Sequence, residues 1–123
     1  MTKSIPLKIG CLILDMDGVL VDTEPLHIEA FARYMDELGI AYRREYIHGF
    51  VGYSIEDNVR RINRELLPGR EVDVAEGVRQ RDRIYLDLLR STSLQPMPGI
   101  RELVAFCREK GWQVALASSS SRE

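Results

Sequence analysis

Ile9, Cys11, Leu12, Ile13 and Leu14 form an apolar run that ends abruptly at Asp15-Met16-Asp17-Gly18. A run with no polar alternation predicts a strand buried on both faces, as in a parallel α/β sheet. Gly18 then lets the backbone turn where a β-carbon would hinder it. Helical spacing follows. Pro25 suits a first turn, Ile28, Phe31, Met35 and Leu38 repeat on one face, and Gly39 supplies the stop. Ser54 with Asp57 three positions on predicts an N-cap, behind which Val59, Ile62 and Leu66 form a stripe ended by Pro68-Gly69. A third helix is expected from Asp73, with Val74, Val78, Arg81, Tyr85 and Leu88 on one face and Arg79, Asp82 and Arg83 on the polar one.

Pro96-Met97-Pro98-Gly99 breaks the helical pattern. Ile100, Leu103, Val104 and Cys107 then mark a short helix closed by Gly111, and Trp112 to Ala117 reads as a second buried strand running into the serines 118–121. The expected order is strand, helical bundle, linker, helix, strand. Two strands and one helix cannot bury a parallel sheet on both faces, so the chain reads as the N-terminal portion of something longer. Trp112, Met16 and Met35 are expected to pack in the interior.

Composition narrows the classes. Of 123 residues, 45% are apolar and 29% charged, near globular averages, and a formal charge of −2 gives no footprint for nucleic acid or an anionic membrane. No apolar stretch approaches the roughly 18 residues that span a bilayer. Met1 to Leu7 carry no apolar signal-peptide core. Cys11 and Cys107 both lie in apolar segments and read as reduced core residues of a cytoplasmic protein. The oligomeric state is not legible.

The chemistry concentrates at Asp15-x-Asp17-Gly18. Ligands of open α/β sheets bind beyond the carboxyl ends of strands, and two carboxylates there repel unless a cation or shared proton intervenes. Mg²⁺ suits such oxygen donors, although Asp15 and Asp17 are equally readable as loop-forming or capping residues. An EF-hand loop is excluded, because Val19, Leu20 and Leu26 stand where it needs an oxygen donor, Gly and Glu. Ser118, at the end of the second strand, offers a hydroxyl for a phosphate oxygen or is an ordinary loop serine. Adjacent strands would lay it beside the DxDG carboxylates.

The segment Leu14-Asp-Met-Asp-Gly-Val-Leu-Val-Asp-Thr-Glu24 resembles the first motif of the haloacid-dehalogenase-like hydrolases, and Ala115-Leu-Ala-Ser118 resembles their second. The intervening helices resemble the cap of the β-phosphoglucomutase-like branch. The resemblance implies a Rossmann-like α/β core, present only in its N-terminal part over 1–22 and 96–123, with a helical cap over 23–95. It makes Asp15 the nucleophile that accepts a phosphoryl group and Asp17 the general acid and base. Mg²⁺ would be held by Asp15 and the backbone carbonyl of Asp17, and Ser118 would bind the phosphoryl group. Gly18, Thr23, His27 and Gly52 join them as substrate- or phosphate-binding candidates, His27 being readable also as a packing or capping residue. Asp22, Thr23 and Glu24 lie where core passes into cap.

The family's third-motif Lys and fourth-motif acidic residues would fall downstream of Ser118, and Lys110 precedes the second strand and does not replace the former. The chain as given is therefore expected to be catalytically incomplete, or a non-catalytic fragment. Carbon–chlorine-cleaving members of the family lack an acid at the position of Asp17, so the resemblance implies phosphatase or phosphomutase chemistry rather than dehalogenation. In the loop Phe50 to Asp57, Gly52 and Ser54 match the mutase branch, but Ile55 and Val51 stand where basic residues are expected. A loop with no basic residue binds a second phosphate poorly unless Arg43, Arg44 or Arg60 compensates. A small phosphorylated metabolite, such as a sugar phosphate, is the expected substrate of a phosphatase, with the β-phosphoglucomutase-type mutase as the alternative. His48 is assigned nothing.

Overall fold

The computed structural model describes residues 8–119. Met1 to Leu7, the stretch without an apolar signal-peptide core, and Ser120 and Ser121 of the serine run lie outside the described residues. The elements are β1 (Cys11–Asp15), α1 (Glu24–Glu37), α2 (Arg44–His48), α3 (Ile55–Leu66), α4 (Val74–Ser91), α5 (Ile100–Glu109) and β2 (Gln113–Ala117). They fall into two compact units, one of 1–23 with 94–123 and the other of 24–93.

In the first unit β1 and β2 pair in parallel, from Cys11 opposite Gln113 to Asp15 opposite Ala117. Parallel neighbours need a crossover, and α5 supplies it. Gly99 (φ +87°) starts that helix and Gly111 (φ +70°) turns the chain out of it, both in the left-handed region that favours glycine. The return is fixed by Trp112 N–H donating to the Cys107 carbonyl at 2.8 Å and Gln113 N–H donating to Gly10 at 2.9 Å.

Burial of the strands on both faces is not what the structure contains. Ile13 is 66% exposed and Leu116 56%, and every residue of β2 is exposed. The sheet has two strands among the described residues, and one crossover helix covers at most one face. Cys11 is accordingly exposed, whereas Cys107 is buried. Trp112 precedes β2, half-buried, with its ring edge-on to the exposed Phe106 at 5.6 Å, and is therefore not a core residue either.

The second unit is a helical bundle around Phe31, Tyr34, Met35, Ile47, Phe50, Val59 and Ile62. Its helices begin and end where their chemistry requires. The Ser54 hydroxyl accepts from Asp57 N–H at 3.1 Å, and the Asp73 carboxylate accepts from Glu76 N–H at 2.9 Å. After α1, Gly39 (φ +67°) lets Ile40 N–H reach back to the Met35 carbonyl at 3.1 Å. Asn63 clamps the α3–α4 connection, donating Nδ2–H to the Val72 carbonyl (2.8 Å) and accepting Val72 N–H on Oδ1 (3.1 Å). Gly77 of α4 packs closest, and a β-carbon there would lie 2.6 Å from the Tyr34 hydroxyl and 2.8 Å from Val59 Cγ1.

Candidate active site

The carboxyl ends of β1 and β2 carry the first unit's chemistry. Asp15 is the last residue of β1 and pairs with Ala117, so Ser118 begins the loop after the neighbouring strand. Parallel pairing thus brings the two motifs to one sheet edge, as strand adjacency required. Asp15 is exposed, and its Oδ1 accepts Met16 N–H at 2.8 Å.

Beyond Asp15 the chain folds tightly. The Met16 carbonyl accepts N–H groups from Val19, Leu20 and Val21 at 3.3, 3.0 and 3.3 Å, and Gly18 N–H donates to Val21 at 2.9 Å. Gly18 has φ +73°, so the turn depends on the residue that lacks a β-carbon. The turn brings Asp17 back beside the segment that follows it. There the Thr23 hydroxyl donates to Asp17 Oδ1 at 2.6 Å, and Thr23 is only 1% exposed. Leu20 and Val21 are tied to the returning chain. Met97 N–H donates to the Leu20 carbonyl at 2.7 Å, and Val21 forms an antiparallel bridge with Pro96. Asp15, Asp17, Gly18, Thr23 and Ser118 therefore all belong to the first unit.

The donor set at this edge is hard oxygen, which fits Mg²⁺. That ion accepts one or two carboxylates and retains waters and substrate oxygens, so it needs no all-protein cage. Among the described residues no group of three or more His, Cys, Asp or Glu side chains gathers to make one.

His27 and Gly52 belong to the second unit. His27 lies on α1 with Nδ1 2.6 Å from Arg81 Nη2. A guanidinium has only N–H groups to offer, so Nδ1 is the acceptor. The His27 ring stacks on Tyr85 with centroids 4.2 Å apart. Arg81 is 0% exposed, sits over the Phe31 and Tyr85 rings at 4.6 and 5.1 Å, and donates to Asp82 Oδ1 at 3.2 Å. Burial pushes this guanidinium's pKa down, against the opposing pull of Asp82. Sequence spacing put Arg81 on the inward stripe of α4 without indicating that His27 would receive it. A charge in an otherwise apolar stripe was the available signal.

Gly52 (φ +86°) lies in an exposed loop between the exposed Val51 and Tyr53. Two of the three arginines near this loop form ion pairs. Arg44 pairs with Glu29 at 3.5 Å and Arg60 with Glu56 at 2.6 Å, while Arg43 is the exposed residue before α2.

Comparison with known proteins identifies the family. The family model described as haloacid dehalogenase-like hydrolase matches residues 12–123. Hexitol phosphatase B of Escherichia coli strain K12 is 36% identical over 123 residues, covering 95% of this chain and 52% of the relative. A phosphorylated carbohydrates phosphatase of Thermotoga maritima is 31% identical over 115 residues, covering 89% and 49%. The crystal structure of CbbY from Rhodobacter sphaeroides in complex with phosphate superposes with a TM-score of 0.73 at 26% identity, covering 93% of this chain and 52% of that one. The chain spans about half the length of the curated relatives it matches. With the motif carboxylates at the end of β1 and the family match running over nearly all of the sequence, the chain belongs to the haloacid dehalogenase-like hydrolases.

Proposed function

We propose that the full-length protein is a Mg²⁺-dependent phosphatase of small phosphorylated carbohydrates, and that this chain carries its nucleophile and its acid–base group. The observation that carries the reading is the placement of Asp15 at the end of β1 with Ser118 directly after the neighbouring β2. The two phosphatases similar to this chain, named for hexitols and for phosphorylated carbohydrates, support the substrate class.

In this reading a carboxylate oxygen of Asp15 attacks phosphorus and the bond from phosphorus to the sugar oxygen breaks, leaving an aspartyl phosphate. Asp17 gives its proton to the departing oxygen, then takes one from the water that cleaves the aspartyl phosphate and restores Asp15. The Thr23 hydroxyl holds Asp17 Oδ1 in place for both transfers. Ser118 hydrogen-bonds the phosphoryl oxygens, and Gly18 lets the backbone approach them without a β-carbon. Asp15 and the Asp17 carbonyl would hold Mg²⁺, which when bound offsets the negative charge gathered between carboxylate and phosphate. The free Cys11 and Cys107 suit a reducing cytoplasmic compartment.

A phosphatase is favoured over a mutase because the loop around Gly52, from Gly49 to Ser54, carries no basic residue. A mutase has to grip a second phosphate, and that calls for an available cation. The test is phosphate release by the full-length protein from hexitol phosphates and from β-glucose 1-phosphate, with and without Mg²⁺. Release that needs Mg²⁺ and outpaces isomerisation supports the reading. Faster isomerisation than release overturns it.

A further inference from the structure

We draw no further inference here: the strongest candidate, the face of the two-stranded sheet where Val114 and Leu116 stand exposed, carries nothing because nothing in the structure shows what covers it.

Discussion

Thr23 donates its hydroxyl hydrogen to Oδ1 of Asp17 across a 2.6 Å contact, and the donor is almost wholly buried. A bond to a carboxylate contributes about 1.5–3 kcal/mol, and a buried donor left without its acceptor costs a similar amount. Thr23→Val keeps the shape and removes the donor. It is expected to lower kcat of the full-length protein roughly tenfold with little change in KM, whereas Thr23→Ser retains most activity. Steady-state kinetics of the two variants checks this. Full activity in Thr23→Val with a loss in Thr23→Ser would show that Thr23 acts through packing alone.

Gly77 makes the opposite of the usual substitution rule. In an exposed helix interior Gly→Ala adds about 1 kcal/mol of stability. Here the new methyl would lie 2.6 Å from the Tyr34 hydroxyl and 2.8 Å from Val59, so overpacking of about 1–3 kcal/mol outweighs the helix gain. Denaturant unfolding should show Gly77→Ala destabilised. Adding Tyr34→Phe should recover part of the loss, because it removes one of the two clashing atoms.

Arg81 is a buried cation braced by His27, Asp82 and two aromatic faces. Arg81→Ala opens a cavity and leaves His27 Nδ1 without this donor, for an expected loss of about 3–5 kcal/mol. Arg81→Met refills most of the volume with an apolar chain and should lose far less, since a buried charge repays its desolvation poorly. Urea denaturation midpoints distinguish them. Equal losses would mean that the charge rather than the volume holds α1 to α4.

Tyr46 links stability to pH on the alkaline side. Burial, then its hydrogen bond to Glu65 at 2.7 Å, pushes the phenol up to about 12 from 10.0. A raised pKa means that the folded state keeps the proton longer, so this contribution is complete below pH 10 and lost as pH rises through about 12. The same hydrogen bond is the leading cause holding the Glu65 carboxyl below its usual range, which adds stability above the ordinary carboxylate pKa that fades in acid. Unfolding midpoints followed from neutral to strongly alkaline pH should fall less steeply in Tyr46→Phe than in the parent. An unchanged slope would contradict the assignment.

Much of this arrangement is legible in the sequence because it is set locally. Ser54 as a cap, the start of α4 at Asp73, Gly39 as a stop, and the inward stripe of α4 follow from side-chain chemistry within a few residues. The DxDG turn is local in the same sense, since Gly18 alone in it takes a positive φ. Burial is a different matter, because it depends on what else packs nearby. Cys11 and Ile13 carry a core-like pattern and yet face solvent, for lack of further layers on the described sheet. The short α2 gives little periodic signal in its 5 residues and has no side-chain cap. The pairings of Thr23 with Asp17 and His27 with Arg81 are tertiary facts that spacing does not encode.

The proposed reaction turns on covalent phosphorylation of Asp15. The most direct measurement is acid quenching of the full-length protein with radiolabelled hexitol phosphate and Mg²⁺, followed by peptide mapping. Label is expected on the peptide containing Asp15, released by alkali and absent from Asp15→Asn. Label on another residue, or undiminished turnover in Asp15→Asn, would contradict it.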